Sequence, residues 1–331
     1  MATLKDIAQR AGVTATTVSR VINNRGYISE GTRKKVYAAM EEMHYQPNEL
    51  ARAFSKQYTN TIGLIVPHIS HPFFIKVISN LESSAAEKGF KLLLCNSKEQ
   101  PEKEQDYLDM CISNRVAGIV LCSKYVQTRE FRKMNIPVVN LERGGDDDTI
   151  SVQCDNYQGG KLAAEHLIEC GCKNLLHFGG VAGKDMPADR RADGFSDVCK
   201  KAGIPYRILV SDRLQYGSMH YEDFIRRALQ EFPDVDGIFA SSDLIASQVI
   251  QVGAQMDKHV PEDIQLVGFD DVMISTVTTP QITTIHQPVE EMTELCVEYI
   301  AKSLKNESVP QKIVLPVRLV QRGTTVLKTE I

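Results

Sequence analysis

The chain has 331 residues and a net charge of −4, and no apolar run in it approaches the ~18 residues that a membrane-spanning helix needs. The charge is unevenly divided: residues 1–60 carry nine Lys and Arg against five Asp and Glu, which leaves a net charge of −8 on the remainder. A basic head on an acidic body argues against nonspecific wrapping of a polyanion by the body and places such a partner at the N-terminus.

The basic head predicts three short helices. Thr3 and Asp6 have the spacing of a capping box at the start of the first helix, and Gly12 supplies the turn after it. Thr14 and Ser29 are caps for a second helix and for a third that ends near residue 44. The apolar residues recur at helical spacing and should form a small shared core; they are Ile7, Ala8, Ala11, Val18, Val21, Ile22, Val36, Ala39, Met40 and Met43.

The second helix has an outward face that is small, hydroxylated and basic. This face carries Ala15, Thr16, Thr17, Ser19 and Arg20. Hydroxyl groups can bind phosphates, and the fork of an arginine can bind a guanine edge in the major groove. The pattern therefore favours DNA binding; the alternative that it leaves open is a small helical bundle with a solvated face.

The sequence predicts a short helix of marginal stability after the third helix. Pro47 stops the preceding helix and suits the first turn of a new one. The seven or eight residues that follow are too few for a helix that is stable alone in water. We expect this segment to fold only where something supports it.

These N-terminal residues resemble the lactose-repressor (LacI/GalR) family of bacterial transcription regulators. The motifs that carry the resemblance are Leu4–Ala8, Gly12–Thr14, Thr17–Asn23, Tyr45 and Pro47–Arg52. The likeness extends over essentially the whole chain. It implies a homodimeric repressor that binds double-stranded operator DNA, with the second helix in the major groove.

The resemblance also implies individual roles. It places Ala15, Thr16 and Arg20 at base edges, while the residues nearer the DNA backbone are Thr14, Thr17, Ser19 and Asn23. The segment after Pro47 matches the family's hinge, in which paired helices push an apolar side chain into the minor groove. The hinge residues assigned to DNA are Leu50, Ala51 and Phe54.

The hinge departs from the family pattern in two positions. Phe54 stands where many members carry leucine, and Ser55 where some carry lysine. Phenylalanine is a known type of intercalating side chain, so that a wedge role survives. The other assignment, in which Leu50 or Phe54 packs hinge against hinge, stays open.

From about residue 61 the pattern changes to short apolar runs that alternate with helical stretches. Strands buried on both faces and separated by helices predict a doubly wound parallel α/β sheet, and about 270 residues favour two such lobes. The predicted strands are 62–67, 90–95, 117–122, 137–141, 175–179, 236–240 and 264–268. The predicted helices are 73–88, 101–114, 157–170, 191–202, 219–231 and 243–256.

The domain prediction follows from these patterns and the resemblance. Residues 1–46 form a helix-turn-helix headpiece, residues 47–60 a hinge helix and linker, and residues 61–331 a two-lobed core. The resemblance implies that this core is similar to periplasmic binding proteins and closes over a ligand. A late helix near 288–304 and a final strand pair near 312–321 should return to the first lobe. Because no terminal heptads follow, we expect a dimer and not a tail-zipped tetramer.

Polar residues follow the predicted strands, where ligands bind in such folds. Aromatic faces combined with carboxylates and guanidinium groups suit a sugar, although Phe73 and Phe74 are also ordinary core residues. The resemblance to sugar-binding members implies that Phe73 and Phe74 sandwich the sugar ring while Arg143, Arg191 and Asp270 bind hydroxyl groups. Tyr216 and Gln215 are further candidates in the second lobe. The full predicted ligand set is Phe73, Phe74, Glu142, Arg143, Arg191, Ser242 and Asp270.

The ligand prediction is a pentose or small hexose, then a disaccharide, and less favourably a purine. Glu142 stands where the family usually has Asp, and Ser242 where Asn is common, so the identity of the sugar stays open. The sequence also predicts no metal site.

The sequence argues against an enzyme and predicts no cofactor. The stretch Gly179–Asp185 fails as a phosphate loop because Asp185 stands where Ser or Thr must bind magnesium. A nucleophile elbow and a zinc-binding helix motif are also absent from the sequence. The eight cysteines are scattered without C-x-x-C pairs and no signal peptide is recognisable, which predicts the reducing cytoplasm.

The predicted function is a transcriptional repressor of a sugar operon that is allosterically controlled by a sugar between the two core lobes. Ligand would change whether the paired hinge segments fold on DNA, and the coupling would be reciprocal. Two alternatives stay open: a carbon-catabolite regulator with a phosphocarrier protein as co-repressor, and a sugar-binding protein without regulatory role.

Overall fold

The computed structural model describes residues 2–23, 25–45, 58–123, 136–143, 149–181 and 186–327. Contacts between residues divide the chain into two compact units, Met1–Thr59 and Asn60–Ile331. We call the first unit the headpiece and the second the core. The predicted hinge residues Leu50, Ala51 and Phe54 lie outside the described residues.

The headpiece consists of helices α1 (Leu4–Ala11), α2 (Ala15–Ile22) and α3 (Glu30–Glu42). The predicted caps are confirmed: the hydroxyl groups of Thr3, Thr14 and Ser29 each accept a hydrogen bond from the backbone N–H three residues later. Gly12 adopts φ 65°, a left-handed conformation that favours glycine. The helices meet over a buried cluster, whose most buried members are Ile7, Ala8, Val18, Val21, Val36 and Ala39.

The core is built on two six-stranded sheets, which confirms the predicted pair of doubly wound lobes. Lobe 1 contains the first sheet, in which every pair of neighbouring strands is parallel. Its strands, in spatial order, are β11 (Lys312–Leu315), β5 (Ile150–Cys154), β4 (Val138–Leu141), β3 (Gly118–Leu121), β1 (Thr61–Val66) and β2 (Lys91–Asn96).

Lobe 2 contains the second sheet, which is parallel except at one edge, where β12 runs antiparallel to β10. Its strands, in spatial order, are β12 (Arg318–Val320), β10 (Thr283–His286), β9 (Gln265–Asp270), β8 (Gly237–Ala240), β6 (Leu175–Val181) and β7 (Tyr206–Ser211).

Helices flank both sheets, and the predicted helical stretches are confirmed within a few residues. The first helices of the core are α4 (Pro72–Glu87), α5 (Pro101–Ser113), α6 (Asn156–Glu169), α7 (Arg190–Ala202) and α8 (Arg213–Ser218). The later ones are α9 (Glu222–Glu231), α10 (Asp243–Gln255), α11 (Ile274–Val277) and α12 (Val289–Ser303). As expected, the late helix α12 returns to lobe 1, where it packs on α4 and β4.

Three crossings of the chain join the lobes. The first follows β5 at Asp155, because α6 packs against lobe 2. The second follows β10 at Gln287, and the third joins β11 to β12 through residues 316–317. The prediction that the two last strands both return to lobe 1 is therefore wrong for β12. The two strands do not pair with each other, since β11 adds to β5 and β12 to β10.

Three strands are absent from the sequence prediction: β5, β7 and β10. Each lacks the continuous apolar run of a strand that is buried on both faces. β7 is an edge strand with exposed residues along its length, and β10 is built from Thr283, Thr284, Ile285 and His286. Hydroxyl side chains are compatible with a buried strand here because they find partners, as Thr283 does in Thr325.

Glycines allow α6 and α7 to cross at very short distance. A Cβ atom on Gly160 would lie 2.0 Å from the carbonyl oxygen of Arg191, and one on Gly194 would lie 2.0 Å from that of Tyr157. Both obstacles are backbone atoms, which cannot rotate away. The crossing therefore requires glycine in both positions, and it fixes where α7 places the side chain of Arg191.

We expect Gly160→Ala to destabilise the core by about 1–3 kcal/mol, because the added methyl group must push two helices apart. Denaturant unfolding of the full chain, followed by far-UV circular dichroism, measures the loss. The matched control is Gly217→Ala in α8, where an added Cβ meets nothing within 4 Å. Equal stability of the two variants would contradict this account of the crossing.

Candidate functional site

The headpiece exposes the face of α2 that the sequence assigns to DNA. Thr16 and Arg20 are both exposed and, four residues apart, lie next to each other on the helix. Ala15 is half-buried and packs against the headpiece cluster. A base-reading role for this face, which remains a proposal, therefore rests mainly on Thr16 and Arg20.

The four residues assigned to the DNA backbone are paired with one another in the headpiece. The hydroxyl groups of Thr14 and Thr17 lie 2.9 Å apart. The side-chain amide of Asn23 donates to the Ser19 carbonyl oxygen at 2.9 Å and approaches its hydroxyl group at 3.4 Å. These contacts fix the orientation of the polar groups at both ends of α2.

The core encloses a cavity of about 150 Å³ at the carboxyl ends of strands from both sheets. This is the position in which open α/β sheets bind ligands. The cavity is small compared with the roughly 300–1,000 Å³ of sites for drug-sized molecules. Six of the seven predicted ligand residues line it: Phe73, Phe74, Glu142, Arg191, Ser242 and Asp270.

The cavity has an aromatic wall from lobe 1 and a facing one from lobe 2. Phe73 and Phe74 follow Pro72 at the start of α4, and their rings touch each other edge to face with centroids 5.2 Å apart. The two rings fill the space between themselves, so the structure shows one shared aromatic wall, and the sandwich of a sugar ring stays a prediction. The opposite wall includes Tyr216, whose ring packs against His68 of lobe 1 at 5.5 Å, and Tyr221.

A chain of buried polar groups runs across the cavity from one lobe to the other. Glu142, at the end of β4, accepts from the backbone N–H of Cys154 and from the side chain of Asn156 at 3.0 Å. Asn156 in turn accepts from Arg191 at 2.7 Å. Because Cys154 and Asn156 flank the first crossing between the lobes, this chain ties the cavity to the connection itself.

Arg191 lies at the centre of this chain. Its guanidinium donates to the Ser241 carbonyl oxygen at 2.6 Å and lies 4.0 Å from the Asp270 carboxylate. The group also stacks over the Phe269 ring, 3.5 Å from the ring centroid. A buried arginine needs such partners, because an uncompensated charge in the interior is costly.

Asp270 ends β9 with its side chain in the cavity. Burial raises the pKa of its carboxyl group to about 7, against the lowering effects of Arg191 and of a 2.6 Å hydrogen bond from Gln287. Burial likewise lowers the pKa of His71 to about 4, so the imidazole is neutral at pH 7. The neutral ring accepts from the Phe73 N–H and thereby caps α4.

Two predicted residues, Arg143 and Gln215, do not line the cavity and instead form hydrogen bonds within the surrounding structure. Arg143 donates to the Ser123 carbonyl oxygen and, at 3.0 Å, to the side chain of Asn140. Gln215 forms a capping box with Asp212 at the start of α8. Arg143 is not part of the lining, because its guanidinium is bonded to the loop after β3 and to Asn140 of β4, and its binding of ligand hydroxyl groups stays a prediction.

Among the lining residues that the sequence prediction missed, two carry buried polar atoms without a partner among the described residues. The buried atoms Ser123 Oγ and Gln287 Oε1 have no hydrogen-bond partner within the described part of the chain. Both residues line the cavity, at the ends of β3 and β10. A buried acceptor without a partner is costly, and a hydroxyl group of a ligand would satisfy it. Recognition of β10 in the sequence would have drawn attention to Gln287, which directly follows that strand.

Other kinds of site find little support in the structure. Among the described residues no group of three or more His, Cys, Asp or Glu could hold a metal ion. No helix in the described ranges is long and apolar enough to cross a membrane. All eight cysteines are described, and each is a buried free thiol.

Known proteins are similar to the headpiece and to the core. Residues 3–48 match the family model of bacterial regulatory proteins, lacI family, and residues 164–325 match a periplasmic binding protein-like domain. A ribose operon repressor of Halalkalibacterium halodurans is 33% identical over 98% of this chain and 97% of its own length. A sucrose operon repressor of Pediococcus pentosaceus is 35% identical over 97% of this chain and 98% of its own.

A solved structure is similar to the core. It is a LacI family transcriptional regulator from Enterococcus faecalis V583 with bound ribose, which is 27% identical. The match has a TM-score of 0.71 and covers 81% of this chain and all of that one.

The raised pKa of Asp270 predicts how stability depends on pH. The folded core keeps this carboxyl protonated up to about pH 7, whereas the unfolded chain releases the proton near the ordinary value of 3.8. The group therefore favours the folded state below about pH 4, and this contribution is lost as the pH rises to about 7. Asp270→Asn keeps the acceptor for Gln287 and should stabilise the core at pH 8 by on the order of 1–3 kcal/mol.

Denaturant unfolding between pH 5 and pH 8 measures this difference. Asp234→Asn, at an exposed carboxylate, is the control and should leave the pH profile of stability unchanged. Parallel profiles for wild type and Asp270→Asn would show that burial does not perturb Asp270.

Proposed function

The chain belongs to the lacI family of bacterial regulatory proteins, and from this premise we propose that it represses a sugar-utilisation operon under the control of a small sugar bound in the core. Members of the family are DNA-binding regulators and not enzymes. The observation that carries the proposal is the buried chain of polar groups in the cavity, which joins both lobes at the place where a ligand would lie.

The chemistry of the cavity favours an uncharged polyhydroxyl ligand. The acidic side chains in the lining outnumber the guanidinium group of Arg191; they are Glu99, Glu142, Asp189 and, ionised only above a pKa of about 7, Asp270. This charge balance opposes a phosphorylated sugar, whereas hydroxyl groups can donate to carboxylates and to Ser123 and Gln287. Our first candidate for the effector is ribose, which similarity to a ribose operon repressor and to a ribose-bound regulator supports.

The headpiece supplies the DNA-binding half of the proposal. Thr16 and Arg20 read base edges, and the capped ends of α2 contact the backbone through Thr14, Thr17, Ser19 and Asn23. Leu50, Ala51 and Phe54 form the minor-groove hinge in residues 47–60, between the headpiece of 1–46 and the core of 61–331. A homodimer doubles these contacts and sets the spacing of the operator half-sites.

We also propose that the protein acts in the cytoplasm, where its DNA target and a reducing environment coincide. The eight thiols, all buried and free, suit such a compartment.

Arg20→Ala should reduce operator affinity about tenfold or more, because a bidentate contact to guanine contributes on the order of 1–3 kcal/mol of base discrimination. Its affinity for random DNA should fall much less, since that binding depends on phosphate contacts. Fluorescence anisotropy with both duplexes measures the two affinities, with Lys35→Ala on the exposed face of α3 as control. Equal losses on operator and random DNA would contradict the base-reading role.

Ribose should raise the melting temperature of the full chain by on the order of 5 °C at a concentration about 100 times its Kd. Gln287→Ala should abolish this shift, whereas Gln230→Ala, at an exposed position of α9, should preserve it. Ribose 5-phosphate in the same thermal-shift panel tests the charge argument and should not bind. A shift with the phosphate ester alone would refute the neutral-sugar proposal.

A further inference from the structure

A hydrogen bond connects lobe 1 to the turn of lobe 2 that contains Asp270. The ammonium group of Lys76 donates to the carbonyl oxygen of Asp271 at 2.9 Å, between residues 195 positions apart. Lys76 belongs to α4 in lobe 1, whereas Asp271 follows β9 in lobe 2. The contact therefore spans the cleft without passing through any of the three crossings of the chain.

The donor and the ligand wall share one rigid element. Lys76 follows Phe73 by three residues, so that both side chains lie on neighbouring positions of the same helix surface. A movement of α4 that withdraws Phe73 from the cavity also withdraws the ammonium group from the turn.

The acceptor is held in a defined orientation. Asp270 and Asp271 have φ values of 106° and 53°, a region that residues other than glycine seldom adopt. The Asp271 carboxylate accepts from Arg322 at 2.6 Å and from His286 at 2.8 Å. These two hydrogen bonds lie within lobe 2 and orient the turn. Lys76 contributes the contact from lobe 1 to the carbonyl oxygen of Asp271.

We propose that Lys76 is a positioning residue that latches lobe 1 onto the Asp270–Asp271 turn and thereby sets the affinity of the cavity for its ligand. The role of Lys76 rests on the proposed sugar-binding function. The ammonium group acts through the turn in two ways: it holds the lobes together, and its charge favours the ionised form of Asp270.

Several neighbouring groups besides Lys76 affect the ionisation of Asp270. The titratable groups that face Asp270 are Arg191 on α7, Glu142 after β4, Asp243 on α10 and Lys76 on α4. Arg191 and Lys76 favour the carboxylate and Glu142 opposes it, while burial raises the pKa of Asp243 itself well above its ordinary value. Removal of the Lys76 charge should move the pH midpoint of ligand binding upward, because Asp270 then ionises at higher pH.

The test compares full-length Lys76→Met, which keeps the aliphatic stem, with Lys76→Arg, which keeps the charge and the donor. Titration calorimetry with ribose between pH 5.5 and pH 8.5 should show an affinity about tenfold weaker for Lys76→Met, with a raised pH midpoint. Lys76→Arg should recover most of the affinity. Lys88→Met, at the exposed end of the same helix, is the control and should bind as wild type.

A second measurement needs no sugar. Backbone hydrogen exchange of residues 270–276 in the ligand-free chain should be faster in Lys76→Met than in Lys88→Met. Equal exchange in the two variants would overturn the latch, as would unchanged ribose affinity and pH midpoint. If the wild-type chain bound no ribose while exchange still differed, the latch would stand and the proposed effector would fail.

Discussion

The core depends on compensation of the charges buried where its two lobes meet. Glu142, Arg191 and Asp270 lie in an interior where isolated ions are unstable, so each must be paired or hydrogen-bonded. The partners come from the crossings of the chain: Asn156 belongs to the first and Gln287 to the second. The hydrogen bonds of the cavity therefore depend on the relative position of the lobes, since a shift of either lobe disturbs the pairing of the charges.

This constraint gives a physical basis for control by a ligand. A molecule that satisfies Ser123 and Gln287 and borders Asp270 and Arg191 stabilises the arrangement that pairs these groups best. Under the proposed function, the same arrangement controls how two hinge segments meet DNA, and this step couples sugar binding to transcription.

The sequence was sufficient wherever structure is decided locally. The headpiece caps at Thr3, Thr14 and Ser29 depend on side chains that bond within one helical turn, and β3 is buried and apolar on both faces. The polar strand β10 is not decided locally, because its buried threonines form hydrogen bonds with residues distant in sequence, such as Asp243 and Thr325. Without that strand Gln287 could not be recognised. The direction of Arg143 is likewise set by Ser123 and Asn140, which no spacing rule connects to it.

The central claim is that occupancy of the cavity and binding of operator are linked. The direct measurement is the operator affinity of the full chain with and without saturating ribose, together with the ribose affinity with and without operator. Both affinities should change by the same factor, as thermodynamic linkage requires. Operator binding that is indifferent to ribose, in a chain that binds both, would contradict it.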